Sequence, residues 1–249
     1  MELAPSILTL MALVLFLGGA MKGATGVGLP IIAVPVLAIY LPLPLAIAVI
    51  VVPGLVTNGW QMWRHRSDRP SRETMMSIPL GTTVGTAVGV WLLASLPARY
   101  LDLGVALAVG IFLASRLARP DWRVSEELGR RLAPPAMFFT GLTQAATGIS
   151  GPVVVMYWSS LGLSREAFIF GVSLVFFVAG VLQWIGMVIA GLFGWHELWL
   201  SLLAVAPSTL GIPFGEWLAR RLNMVWFNRI ILATLAVMAV QLVLSALPA

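Results

Sequence analysis

Long stretches without any charged residue restrict this chain more than any other feature of its sequence. Residues 31–53 and 172–194 each contain only uncharged side chains, most of them apolar. An α-helix rises about 1.5 Å per residue, so roughly 20 such residues cross the ~30 Å hydrocarbon layer of a bilayer. Over the whole chain, 59% of the residues are hydrophobic and only 10% are charged, well outside the range of soluble domains. The sequence therefore predicts an all-α polytopic membrane protein.

The charged residues also exclude several classes of function. The formal net charge is +5, but the Arg residues concentrate in a few clusters between the apolar stretches, as in cytoplasmic loops of membrane proteins. We therefore expect a lipid bilayer, and no nucleic acid, as the surroundings of the chain. The chain contains no Cys, which excludes disulfides and thiolate metal sites. It also lacks HExxH, GxSxG and Walker motifs, so we expect no cofactor, no metal and no enzymatic activity.

A short motif occurs twice in the chain. Residues 24–30, Ala-Thr-Gly-Val-Gly-Leu-Pro, return 122 positions later as residues 146–152, Ala-Thr-Gly-Ile-Ser-Gly-Pro. The same offset aligns Phe16 with Phe138, Gly19 with Gly141 and Gln61 with Gln183, and a slightly larger offset aligns Gly85 and Gly89 with Gly211 and Gly215. Hydrophobic segments interrupted by Gly and Pro in corresponding places of two halves are typical of the binding site of a secondary transporter.

Pro, Gly and charged residues divide the chain into apolar segments. These segments lie near residues 5–21, 29–41, 45–63, 74–95, 99–117, 134–147, 152–161, 166–191, 197–219 and 225–246. The polar residues 118–133 separate a first membrane repeat, residues 1–117, from a second, residues 134–249. We expect this link to be a cytoplasmic surface loop with a short amphipathic turn.

The Arg clusters predict the topology, because cytoplasmic loops of membrane proteins are enriched in Arg and Lys. The clusters lie at residues 64–72, 116–131, 165 and 220–221. All of these clusters face the cytoplasm only if segment 134–161 enters the membrane and returns on the same side. Because the two halves are repeats, we expect residues 5–41 to form the same kind of re-entrant hairpin. The sequence thus predicts two inverted repeats, each a re-entrant helical hairpin plus three transmembrane helices, with both chain termini outside.

The residues at the two breaks are suited to an anion. Gly permits unusual dihedral angles and close approach of the backbone, and the Pro after each break fits the first turn of a new helix. The N-terminus of a helix offers free N–H groups and a partial positive charge. We expect the two breaks to hold a small anion between them. The candidate residues are the backbone positions Gly26, Gly28, Gly148 and Gly151 and the hydroxyl residues Thr25, Thr147 and Ser150.

Three further side chains are candidates for the same site. Lys22 is the only Lys in the chain, directly precedes the first break and has the neutral Gln144 as its repeat counterpart. A lone cation in an apolar stretch is a functional candidate, and the alternative is a helix-end Lys that extends toward water. Gln61 and Gln183 are able to donate amide N–H groups to an anion, and the alternative for both is hydrogen bonding between helices.

These motifs resemble those of the TauE/SafE sulfite exporter family, also called toluene sulfonate uptake permeases. The resemblance rests on the run from Lys22 to Gly28 with Pro30 and Pro35, paired with the copy at residues 147–152, and it extends over essentially the whole chain. It implies a multi-pass protein of the bacterial or archaeal inner membrane. It also implies transport of small anions such as sulfite, sulfoacetate, taurine-related sulfonates or thiosulfate, held by the two re-entrant breaks.

The leading interpretation is therefore a secondary transporter of a small organosulfur or sulfur oxyanion that works by alternating access. A passive anion channel with the same site is an alternative, as is an intramembrane enzyme or assembly factor. Because the sequence places no carboxylate suited to a proton relay at depth, coupling would pass through a protonatable substrate, or transport would run downhill. The exact anion, the direction of transport, the coupling ion and the oligomeric state, a homodimer among the options, stay open.

A pair of reporters fused after Ala249 tests the topology. If the positive-inside interpretation holds, alkaline phosphatase, which matures outside the cytoplasm, will be active there and a fluorescent protein that folds only in the cytoplasm will be dark. The same reporters inserted after Arg69, in the first basic loop, serve as the control and should give the opposite result. A cytoplasmic signal at Ala249 would contradict the inverted arrangement.

Overall fold

The computed structural model describes residues 5–70, 72–76, 78–118, 123–221 and residue 240 of the chain. Every regular element within this part is helical, which confirms the all-α prediction. The helices are α1 (Pro5–Thr25), α2 (Leu29–Tyr40), α3 (Leu43–Arg64), α4 (Arg72–Met76), α5 (Ile78–Ser95), α6 (Ala98–Ala118), α7 (Glu126–Thr147), α8 (Gly151–Ser160), α9 (Arg165–Ile189) and α10 (Trp195–Arg221), with a 3₁₀ turn at Arg66–Asp68. The predicted last span, near residues 225–246, lies outside the described residues.

Five of the described helices are long and apolar enough to cross a membrane. They are α1, α3, α5, α9 and α10. The helices α2 and α8, which follow the two copies of the motif, have only 12 and 10 residues. Helices of that length rise about 15–18 Å, roughly half of the hydrocarbon layer. Both copies of the motif therefore separate a long helix from a short one.

The long and short helices at each break form a hairpin. A Cβ added to Gly18 of α1 would lie 2.9 Å from the carbonyl oxygen of Leu29, so α2 folds back against α1 immediately after the break. In the second hairpin, the backbone N–H of Val124 donates to the carbonyl oxygen of Ser160 at 3.0 Å. This bond brings the end of α8 back to the start of α7.

The helix α7 begins at Glu126, earlier than the sequence boundary at residue 134, so the link contains less loop than expected. Ser125 caps the helix, because its hydroxyl accepts a hydrogen bond from the N–H of Leu128 at 3.3 Å. Glu127 and Arg131 form an ion pair one turn apart, at 2.6 Å. The Pro residues at 134 and 135, which in the sequence favour a helix start, lie inside α7.

The backbones of α1 and α10 are in direct contact. A Cβ added to Gly211 would lie 2.2 Å from the carbonyl oxygen of Phe16, and one added to Gly215 would lie 1.8 Å from that of Ala20. Residues 16 and 20 therefore meet residues 211 and 215 in the same order, and the two helices run in the same direction. Packing of this kind, through small residues, is how membrane helices approach closely.

The contact between α5 and α7 repeats the contact between α1 and α10. A Cβ added to Gly85 would lie 2.0 Å from the carbonyl oxygen of Phe138, and one added to Gly89 would lie 2.5 Å from that of Leu142. By the repeat offsets, Gly85 and Gly89 correspond to Gly211 and Gly215 of α10. Phe138 and Leu142 correspond to Phe16 and Ala20, whose carbonyl groups form the other contact. Each half of the chain thus supplies a hairpin arm to one contact and a long helix to the other.

A Pro inside α3 is compensated by a side chain of α10. Pro53 has no N–H, so the carbonyl oxygen of Val49 loses its helical partner. The Ser201 hydroxyl donates to that oxygen at 3.0 Å and accepts a hydrogen bond from the N–H of Val52 at 3.0 Å. Neighbouring helices tolerate Pro in a membrane by this kind of replacement. It fixes α3, which carries Asn58 and Gln61, against α10.

Replacing Gly215 with Ala tests the close contact between α1 and α10. The new Cβ would lie 1.8 Å from the Ala20 carbonyl oxygen, a backbone atom that side-chain rotation does not move. We expect a loss of unfolding free energy at the upper end of the roughly 1–3 kcal/mol that overpacking costs, measured by thermal unfolding in detergent. Gly110→Ala in α6 is the control, since no described atom lies within 4 Å of that Cβ position apart from the adjoining residues of its own helix. Equal melting temperatures for both variants would contradict this packing.

Candidate functional site

The two breaks share one hydrogen-bonding pattern. The single proton of the Thr25 hydroxyl is shared between two carbonyl oxygens, the one four residues earlier at 2.9 Å and the one two residues later at 2.5 Å. Thr147 repeats both contacts at 2.8 and 3.4 Å. In each break the N–H two residues after the Thr donates back to its hydroxyl oxygen, at 3.4 and 3.3 Å. The hydroxyls expected to face an anion thus bond to their own backbone and hold the shape of the breaks.

The Gly that follows each Thr turns the chain. Gly26 and Gly148 have φ values of +84° and +72°, in the left-handed region that favours Gly. A Cβ added to Gly26 would lie 3.0 Å from Ile169 in the second half of the chain, and one added to Gly148 would lie 2.7 Å from Val34 in the first half. Each break is therefore packed against the opposite half, and neither position has room for a side chain.

The two breaks differ in their last residues. Gly28 has a φ of +144°, whereas its repeat counterpart Ser150 has a φ of −122°. The Ser150 hydroxyl donates to Oε1 of Gln144 at 2.8 Å. Gly151, another predicted site residue, is buried as the first residue of α8. The second break is therefore joined to the Gln144 side chain, a bond that the first break, with Gly at position 28, does not form.

A small cavity of about 30 Å³ lies between the two halves of the chain. Three pairs of residues related by the 122-residue offset line it: Lys22 with Gln144, Gly54 with Phe176 and Asn58 with Gly180. Gly28 and Gln183 line it as well. The structure therefore brings together three of the predicted site residues, Lys22, Gly28 and Gln183, at a place where equivalent parts of the two repeats meet.

Lys22 is buried beside this cavity. Only 2% of the residue is exposed, and its Nζ donates to Oδ1 of Asn58 on α3. Within the described residues Lys22 forms no ion pair. A Lys that extends to water would leave its ammonium group exposed, so the burial of Lys22 favours the functional interpretation.

The two Gln residues matched by the repeat lie in different surroundings. Nε2 of Gln183 donates to the carbonyl oxygens of Gln144 and Ala145 at 3.2 and 3.5 Å, which joins α9 to the end of α7. Gln61 accepts a hydrogen bond from the Ser173 hydroxyl at 2.9 Å and lies at a second, wider cavity. Both side chains thus make the interhelical bonds that were the alternative interpretation, while Gln183 also reaches the small cavity.

The wider cavity, of about 470 Å³, begins beside the first break. Gly23, Ala24 and Gln61 form one part of its wall. The charged residues of its wall are Arg64, Arg165, Glu166 and Glu216, with His65 beside them. Arg64 and Glu216 form an ion pair at 3.2 Å, in which both side chains are partly exposed. In the sequence, Arg64 and Arg165 serve only to predict the topology. They lie far apart along the chain, so nothing in the sequence indicates that they line one cavity.

A family model described as sulfite exporter TauE/SafE matches residues 11–242. The matched region includes both breaks and every residue named above for the two cavities. The chain belongs to the TauE/SafE family. Members of this family are membrane transporters, so the chain is a multi-pass membrane protein that functions in transport. Comparisons with curated proteins and with solved structures found no match.

Replacing Thr25 or Thr147 with Val tests whether the hydroxyls hold the breaks of this TauE/SafE protein. Val has nearly the same shape but does not bond to the backbone, so each variant should lose about 1 kcal/mol of stability per hydrogen bond. The amide two residues after the substitution should also exchange faster with deuterated solvent. Thr→Ser at the same positions keeps the hydroxyl and is the matched control. Wild-type exchange rates in the Val variants would show that the hydroxyls do not hold the breaks.

Proposed function

We propose that this protein is a secondary transporter that carries a small sulfur oxyanion, such as sulfite, sulfoacetate or a related sulfonate, across the inner membrane of a bacterium or archaeon by alternating access. The observation that carries the proposal is the small cavity between the two halves, with the only Lys of the chain and the first broken helix in its wall. A positive group and a helix start at one enclosed place are suited to a compact anion.

The first half of the site would bind the anion through charge and backbone. The lining of the small cavity includes Gly28, Leu29 and Pro30, where α2 begins. The first N–H groups of a helix have no acceptor within the helix, and together they carry about half a unit of positive charge. Lys22 adds an amine to this partial charge. These donors would replace the water that an oxyanion loses on entering the protein.

The second half of the site would bind the anion through an amide. Oε1 of Gln144 accepts the hydrogen bond from Ser150, so its Nε2 group keeps two donors for other partners. The second break would therefore act on the anion through Gln144 rather than through an exposed helix end. Thr25, Gly26, Thr147, Gly148 and Gly151 would hold the backbone in place, and Gln61 would line the path toward the site.

The size of the small cavity favours transport of a small solute over the alternatives. A volume of about 30 Å³ holds roughly two water molecules, so the cavity would widen around an oxyanion such as sulfite, and it is far too small for a lipid or a peptide. An intramembrane enzyme would need a larger site. The small cavity and the wide cavity beside Gln61 are also separate spaces, as expected for a site that opens to one side of the membrane at a time.

The wide cavity would be the entrance from the cytoplasm. Its wall contains the Arg64 end of α3 and the Arg165 end of α9, both of which belong in the cytoplasm under the positive-inside rule. Arg64 is neutralised by Glu216, whereas Arg165 forms no ion pair within the described chain. The field of Arg165 would attract anions into the cavity.

Inverted repeats would place the two hairpins in the membrane from opposite sides. In support, α1 runs in the same direction as α10, and α5 runs in the same direction as α7. With the Arg221 end of α10 in the cytoplasm, α1 starts outside, whereas α7 starts from the basic link inside. The reciprocal glycine contacts are those expected when one repeat is related to the other by a two-fold axis in the membrane plane.

Removing the amine of Lys22 tests the site. A charge-assisted hydrogen bond contributes about 1.5–3 kcal/mol, so Lys22→Gln should weaken anion binding roughly ten- to hundred-fold. Calorimetry of the purified protein with sulfite, thiosulfate, methanesulfonate and sulfoacetate would measure this, after a thermal-shift screen for stabilisation by the ligand. Arg131→Gln removes the same charge from an exposed helix turn and should leave the affinity unchanged. Equal affinities for Lys22→Gln and wild type would remove Lys22 from the site.

Flux measurements separate a transporter from a channel. In proteoliposomes a transporter gives saturable flux that depends on a counter-ion or a coupling ion, whereas a channel conducts in proportion to the driving force. Flux that does not saturate would favour the channel. Turnover of a lipid or peptide that survives loss of Lys22 would favour the enzyme.

A further inference from the structure

We propose that one proton crosses the membrane with each anion and that the amine of Lys22 carries it, an inference that rests on the transport function proposed above. Among the residues whose burial the structure describes, no Asp or Glu is buried, so none is placed for a proton relay. The fold provides a different proton carrier, a lone amine enclosed at the proposed anion site.

Among the described residues, the wall of the small cavity contains no negative side chain. Its polar members in this part of the chain are Asn58, Gln144 and Gln183, all of them neutral amides, and Lys22 is the single ionisable group among them. The hydrogen-bond partner of Lys22, Asn58, is therefore uncharged. Residues 217–249 contain neither Asp nor Glu, so this part of the sequence has no carboxylate side chain.

The charged groups of the helices around Lys22 lie elsewhere. The charged or titratable residues of α3, α9 and α10 that are nearest to the proposed site belong to the wall of the wide cavity. They are Arg64, the adjoining His65, Arg165, Glu166 and Glu216. Glu216 is already paired with Arg64 at 3.2 Å. The helix α2 has no charged residue, and those of α7 are confined to its first turns, at the end opposite Gln144. Among the described residues, no carboxylate forms an ion pair with Lys22 or lines the small cavity.

In these surroundings, the charge of the Lys22 amine depends on whether an anion is bound. A buried ammonium without a counter-charge is costly, whereas a neutral amine that donates one hydrogen bond is tolerated. The amine of Lys22 is therefore neutral before the anion arrives. When an oxyanion enters, it supplies the missing negative charge, and the amine takes a proton from a hydronium ion that enters the site with the anion, which gives ammonium and water.

Release reverses the same step on the other side of the membrane. As the anion leaves, the ammonium loses its counter-charge and transfers its proton to water, which returns the neutral amine. The repeat counterpart of Lys22 is Gln144, which does not titrate, so the site carries one proton rather than two. Transport of a monovalent sulfonate is then electroneutral, whereas a divalent anion moves one net negative charge.

Calorimetry in two buffers of different ionisation enthalpy counts the protons taken up on binding. Methanesulfonate and thiosulfate are suitable probes, because neither binds protons near neutral pH and any uptake belongs to the protein. We expect wild type to take up close to one proton per anion. Lys22→Arg keeps a permanent charge and should bind with no proton uptake, and Lys22→Gln should bind weakly and also without uptake.

The outcomes separate this inference from the function on which it rests. Arg131→Gln is the control and should take up protons as wild type does. Anion binding by wild type without proton uptake would overturn the proton proposal and leave the transport proposal standing. Continued uptake of one proton by Lys22→Arg would assign the proton to another group and also overturn it. If no sulfonate, sulfite or thiosulfate binds at all, the proposed function itself fails.

Discussion

A helix interrupted inside a bilayer exposes backbone groups that lipid does not satisfy, and the rest of this structure depends on that constraint. Both breaks meet it in the same way, since a Thr hydroxyl bonds to the backbone on either side of the turn. The turning Gly of each break is then covered by the opposite half of the chain, at Ile169 in one case and Val34 in the other. Each break is therefore covered by residues of the other half, and the small cavity lies between the two halves.

The helices around the small cavity are arranged nearly symmetrically, but the side chains that line the cavity differ between the two halves. Equivalent residues face each other across the small cavity, yet one repeat contributes the amine of Lys22 and the other the amide of Gln144. Ser150 replaces the Gly of the first break and binds that amide. Among the described residues around the small cavity, Lys22 is therefore the single ionisable group.

The sequence predicts the helices and the breaks well, because length, hydrophobicity and Gly-Pro punctuation are local signals. It places the start of α7 too late, since a Pro pair that often begins a helix lies here inside one that Ser125 caps further upstream. Tertiary contacts account for the other differences. Repeat matching equates Gln61 with Gln183, but only the fold reveals that the first lies at the wide cavity and the second at the small one. The pairing of Arg64 with Glu216 also has no signature in the sequence.

The reciprocal glycine contacts also constrain how the protein is made. The first hairpin packs through Gly19 and Ala20 against Ser208 and Gly215, which the ribosome reaches almost 200 residues later. At about 5–20 residues per second this delay is roughly 10–40 s. During that time the newly inserted α1 lacks the backbone contact that α10 makes at Gly19 and Ala20. The close contact between α1 and α10 therefore forms only after most of the chain has been synthesised.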